Sequence, residues 1–199
     1  MDKQLLNFHK NALLGSISGE PLCNDYVNRW RRCGDDKEKL VRLALCQQSL
    51  PYLSHACHNG LGVSKEYILE NYKEYINGNK VFHDADGVDG YTYELYVGFD
   101  GDIKVSTDVI ACMWCNVTQM EVETSKCPNI YACNSSEIHL SLNGYNSVRV
   151  YAFDDSKVVV EDADDTCDVL VYRYSSRAEV ETGRFCLGTV KVFNKTLRL

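Results

Sequence analysis

Four clusters in this 199-residue chain combine residue types and spacings that can do chemistry. Cys112-Met-Trp-Cys115 is a CxxC with Cys127 and Cys133 downstream, a set that invites zinc or dithiol chemistry. The five residues between the second pair are wrong for a zinc ribbon, and no helix start follows the first pair, as thioredoxin-like chemistry wants. SHACHNG brings His55, Cys57 and His58 together, but near neighbours in a chain rarely make a thiol and base that face each other. Helix-end histidines and a buried thiol explain that run. DADGVDG places Asp84, Asp86 and Asp89 as in a calcium loop, yet an EF-hand needs an acid or amide at Val88 and a Glu at Leu95, and both fail. A turn-rich lead-in to a β region explains it better. The fourth cluster, EDADDTCD, holds Glu161, Asp162, Asp164, Asp165 and Asp168 and is joined by Asp154 and Asp155. It reads as a solvated turn that discourages edge pairing, or as a docking face for a basic partner. No catalytic residue, metal ligand or cofactor is expected from these clusters.

The elements that must position them change character along the chain. Up to about Asn79 apolar residues recur at helical spacing. Asp35 and Glu38 give a capping-box signal for a helix at about 36–49, with Leu40, Leu43, Ala44 and Gln47 on one face and Pro51 limiting it. Ser64 and Gly78 bracket a second helix with Tyr67, Ile68, Tyr72, Tyr75 and Ile76 along a stripe, and PLCNDYVNRWRRCG reads as a third that ends at Gly34. From Gly78 the period shortens, and Tyr93 to Phe99 alternates as a strand or hairpin does.

Beyond that the chain repeats. GDIKVS, TQMEVE, SEIHLS, SKVVVE and SRAEVE, starting at Gly101, Thr118, Ser136, Ser156 and Ser176, carry apolar third and fifth letters throughout. These are Ile103 and Val105, Met120 and Val122, Ile138 and Leu140, Val158 and Val160, Ala178 and Val180. The letter between is Lys104, Glu121, His139, Val159 or Glu179, as when alternate side chains face opposite sides of a strand. A second strand follows each: VIAC, IYAC, VRVY, VLVY and VKVF, with an inward column from Val109 and Ala111 to Val190 and Val192. Its fourth letters, Cys112, Cys133, Tyr151, Tyr172 and Phe193, predict a ladder of thiols and then aromatics. A unit of two strands cannot bury its apolar face alone, so the economical fold is a β-solenoid whose coils stack about 4.8 Å apart. The expected class is α+β: a helical cap or bundle over 1–80, a turn-rich lead-in over 81–100, and a solenoid of about five two-strand coils over 101–199.

Charge and composition narrow the function. Residues 1–80 carry 11 Lys/Arg against 9 Asp/Glu, and residues 81–199 carry 10 against 19. The acidic second half argues against nucleic acid as its partner, since phosphate binding is driven by Lys and Arg. The start, MDKQLLNFHKNALLGSISGE, lacks the hydrophobic stretch of a secretion signal, and no apolar run approaches a membrane span. A cytoplasmic chain with reduced thiols is expected, so its 10 cysteines read mainly as small apolar core residues.

The S-x-V-x-V alternation with YAFDDSKVVVEDADD resembles short β-helical repeat segments of proteins encoded by bacteriophages and prophages, virion components among them. The resemblance covers about half the chain, implies a solenoid in a structural or virion-associated role, and carries over no functional residue. The function expected is a non-enzymatic scaffold that meets a protein partner, or a second copy, through the solenoid end at Val190 and Val192. An inhibitor offering the acidic surface to a basic host protein is the alternative; an enzyme using Cys57, His55 or His58 at the junction of the two regions is the third.

Overall fold

A computed structural model of the chain describes residues 2–13, 24–46, 49–61, 63–83 and 90–196. Among these, five helices come first: α1 (Lys3–Leu13), α2 (Asn24–Cys33), α3 (Lys37–Ala44), α4 (Leu50–His58) and α5 (Lys65–Asn71), with a 3-10 turn at Lys73–Tyr75. Asp36 rather than Asp35 caps α3, its carboxylate accepting from the Lys39 N–H at 3.1 Å. That helix ends at Ala44, short of the expected 49, because Pro51 opens α4 instead of closing α3. A proline in a first turn lacks only an N–H that would find no helical partner anyway. Ser64 caps α5 as expected, its Oγ accepting from the Tyr67 N–H at 3.2 Å. Gln47, Asp84, Asp86 and Asp89 lie outside the described residues.

The strands are β1 (Phe82–His83), β2 (Thr92–Val97), β3 (Asp100–Val105), β4 (Val109–Met113), β5 (Asn116–Val122), β6 (Asn129–Cys133), β7 (Glu137–Leu142), β8 (Ser147–Ala152), β9 (Lys157–Ala163), β10 (Asp168–Arg173), β11 (Glu179–Cys186) and β12 (Thr189–Asn194). They form two sheets, β1-β2-β4-β6-β8-β10-β12 and β11-β9-β7-β5-β3. Every neighbouring pair from β2 onward is parallel, and the chain passes from one sheet to the other at each step. This is a β-solenoid of about 5 turns, running from residue 93 to 194. The stretch Tyr93 to Phe99 supplies its first long-sheet strand.

Register explains the columns and corrects some of them. In the five-stranded sheet Met120 pairs with Leu140 rather than Ile138, and Val158 with Val180 rather than Ala178. Both are slips of two residues, which keep the same face inward. In the seven-stranded sheet Ile110 and Cys112, not Val109 and Ala111, face the interior with Ile130 and Ala132. Val109, Ala111, Met113 and Cys133 face the other way, into a second core shared with the helices. The thiol-to-aromatic ladder is therefore split: Cys112 pairs with Ala132, Cys133 with Met113, and Tyr131 heads the aromatics.

The helical region lies along the side of the solenoid, on the outer face of the seven-stranded sheet. Trp30, Leu40, Leu45, Leu53 and Tyr72 share one cluster with Tyr93, Leu95, Met113 and Tyr131. Strands β4 and β6 are thus covered on both faces and buried at every position, apolar throughout in β4 and after Asn129 in β6, whereas β8 alternates buried positions with half-buried or exposed ones. At the corner between sheets Phe99 of the first coil is followed in one column by small side chains, Cys115, Ser136, Ser156 and Ala178. There the Ser136 Oγ–H has Cys133 O at 2.8 Å and Cys112 O at 3.0 Å, and the oxygen accepts from the Cys115 N–H at 3.1 Å. Ala178 fills that corner in the fifth coil, so Ser176 stands exposed in the turn.

Candidate interaction surface

Where the helical cover ends, the outer face of the seven-stranded sheet bears stacked rings. Tyr131 and Tyr151 are 4.6 Å apart between centroids, Tyr151 and Tyr172 5.3 Å, and Tyr172 and Phe193 5.4 Å, with ring planes within 24° of parallel. Tyr131 is buried beneath the helices, Tyr151 and Tyr172 are half-buried, and Phe193 is exposed. A second stack, Phe153 on Tyr174 at 4.9 Å, runs beside it. The next column holds Arg149, Leu170 and Lys191, and Lys195 lies over the Tyr172 ring at 5.6 Å. This part of an acidic chain is basic and aromatic. Among the described residues, Arg149, Arg184, Lys191 and Lys195 have no carboxylate at ion-pair distance.

The last coil adds a backbone edge. Strands β11 and β12 close their sheets, and no described strand pairs with their far sides. Val150 and Val171 are 0% exposed, but Val192 in the same column is 46% exposed. Phe185 at 69% and Leu187 at 73% stand out on the same coil. Val190 remains half-buried against the interior.

The acidic residues singled out in the sequence fall in three places. Asp154 turns inward to the helices, accepting from Ser54 Oγ at 2.7 Å and from the Asn134 N–H at 3.1 Å, while Asp155 pairs with Arg177 at 2.7 Å. Glu161 sits on the outer face of the five-stranded sheet, 2.6 Å from His139, whose other nitrogen is 3.2 Å from Glu137. Lys157 joins Glu137 to Glu181, at 3.4 and 3.5 Å, and with His139 holds the Glu137 carboxyl below its ordinary range against the opposing effect of desolvation. Asp162, Asp164, Asp165 and Asp168 line the following corner, exposed, with Asp164 accepting from the Gly144 N–H at 2.7 Å.

The thiols and histidines are separated by the fold. Cys57 is buried, and desolvation pushes its thiol up. His55 and His58 line a different space, a cleft of about 430 Å³ shared with Phe153, Asp154, Tyr174 and Arg177. Arg177 donates to His58 Nε2 at 2.7 Å, and burial lowers the His55 pKa. Cys112 and Cys115 touch inside the solenoid, where their mutual hydrogen bond and then burial push the Cys112 thiol up. Each described cysteine is a free thiol, and among the described residues no group of three His, Cys, Asp or Glu side chains is placed to hold a metal ion. Protein purified with reductant is expected to carry no stoichiometric zinc and to melt at the same temperature with and without a chelator. Elemental analysis and paired melts check this, and a bound metal would reopen the CxxC.

No described helix is long and apolar enough to cross a membrane. The aromatic column was legible from the last letters of VRVY, VLVY and VKVF; Lys191 and Lys195 read in the sequence as charges that guard a strand edge, and the column of Lys191 with Arg149 did not show because Leu170 interrupts it. Comparison of the chain with family models, with curated proteins and with solved structures finds no match.

Proposed function

We propose that the protein is a non-enzymatic interaction scaffold whose helical layer braces one flank of a rigid solenoid and whose last coil docks on a partner protein. One observation carries the reading: side chains in columns that are buried in the preceding coils, above all Val192, are exposed on the last coil together with Phe185, Leu187 and Phe193. Exposed apolar groups on a rigid frame, beside strand edges that no described strand covers, are the usual makings of a contact surface. The separation of the Cys57 thiol from the cleft of His55 and His58 weighs against the thiol enzyme considered above. A virion-associated role is the finer form of the proposal and rests on the likeness of the repeats to phage-encoded solenoids; neighbouring capsid and tail genes would support it.

The rival reading, an acidic inhibitor surface, draws on the exposed carboxylates of the corner at Asp162 to Asp168. The two are separated by immobilising wild type, Val192→Lys and an Asp164→Lys/Asp165→Lys variant in extract of the source cells. Any retained protein is then purified and its binding to each variant measured. Loss of binding with Val192→Lys alone is the expected result. Loss with the corner variant alone transfers the function to the acidic surface, and a partner bound equally by all three overturns both readings.

A further inference from the structure

Resting on that reading of the last coil, we propose that the edge of β12, which no described strand covers, takes up a β-strand of a partner protein, parallel to β12, with the order aliphatic, acidic, aliphatic, aromatic. Strands β8, β10 and β12 stack without a bulge, so each column states what the next strand must supply. Val148, Val169 and Val190 form one inward column, and Val150, Val171 and Val192 the other. Both call for aliphatic side chains, because the rungs already covered are fully buried while Val192 remains open. The column of Tyr151, Tyr172 and Phe193 calls for a ring, since Phe193 has Tyr172 at 5.4 Å on one face and no described ring on the other. Between the aliphatic positions the incoming side chain meets Lys191, which has no carboxylate at ion-pair distance among the described residues. A carboxylate there completes the charge. Main-chain hydrogen bonds supply affinity and alternate side chains supply selectivity, as in other strand additions.

Charge also argues against a second copy as the occupant. The chain's own strands of this pattern, VRVY, VLVY and VKVF, carry Arg, Leu or Lys where the acid is wanted. Stacking of one solenoid end on the other would bring Glu179 and Glu181 of β11 to Asp100 and Asp102 of β3, like charges opposite one another.

The test uses fluorophore-labelled peptides TVEVYN, TVKVYN and the reversed NYVEVT, titrated with the full chain and followed by anisotropy. Amide exchange of β12 is measured in parallel. TVEVYN is expected to bind at least about tenfold more tightly than TVKVYN at low salt, a preference that narrows as salt screens it. It is also expected to outcompete NYVEVT, to protect the β12 amides, and to lose binding to Val192→Lys, which should melt like wild type because its site is open. Equal binding of the three peptides, or binding that survives Val192→Lys, overturns the proposal. So does a wild type that sediments as an oligomer dispersed by Val192→Lys, which would give the edge to a second copy. Failure of TVEVYN while a purified partner still depends on Val192 sinks only the strand reading; failure of both sinks the docking coil as well.

Discussion

Val160→Asp is expected to lower stability by about 4 kcal/mol or more, a fall in Tm of roughly 10 °C or greater for a chain of this size. Val160 is fully buried in the solenoid interior, between Leu140 on one neighbouring strand and Thr182 on the other. No described cation shares that interior cluster, so a carboxylate there must either stay charged without a partner or take up a proton. Glu179→Lys, on the outer face of the same sheet, is expected to change stability by about 0.5 kcal/mol or less. Thermal melts of the two variants beside wild type measure the contrast, and equal losses would count against this assignment of inward and outward faces.

Why that face could be read from the amino acids, while other features could not, follows from the geometry of strands. Val158 and Val160 flank an outward position in a period of two, and a register slip of two residues leaves both facing in. The pairing of Met120 with Leu140 was thus missed without any error in what is buried, helped by irregularities between Val117 and Met120 and between Leu140 and Ser141. Strand β4 is different. VIACM is apolar at every position because the helices cover one face and the interior the other, so no alternation says whether Val109 or Ile110 points inward. Helix α5 was legible from its cap at Ser64, whereas α4 was not, because Pro51 read as a stop, and the helices' site of attachment was not either: an amphipathic stripe states that a face is buried and is silent on what buries it. Of the interaction surface, the rings showed in the sequence because three like residues recur at one position. The solenoid end at Val190 and Val192 was also singled out in the sequence, because the repeats run no further than VKVF; the structure adds that Val192 is exposed while Val190 stays half-buried.

Asp154→Ala is expected to loosen the helical layer from the solenoid at a cost of about 3 kcal/mol, although by sequence Asp154 and Asp155 look alike. The Asp154 carboxylate accepts from Ser54 Oγ on α4 and from the Asn134 N–H at the turn below, and the Asn134 side-chain amide returns to Ser54 O at 3.3 Å. Ser54 and Asn134 are each 1% exposed, so truncation strands two buried donors, each bond to a charged acceptor being worth about 1.5–3 kcal/mol. Asp154 also sits at φ 53°, a conformation that Asp and Asn tolerate better than Ala, which adds to the loss. Asp155→Ala removes only an exposed pair with Arg177, an interaction whose typical worth is about 1 kcal/mol or less. Asp154→Asn keeps an acceptor and the backbone preference, so it should recover part of the stability. Amide exchange is the sharper readout than a melt: α4 is expected to lose protection in Asp154→Ala while β7 and β9, in the sheet that faces away from the helices, keep theirs. If Asp154→Ala and Asp155→Ala melt and exchange alike, the tie between α4 and the third and fourth coils is not what holds the helical layer in place.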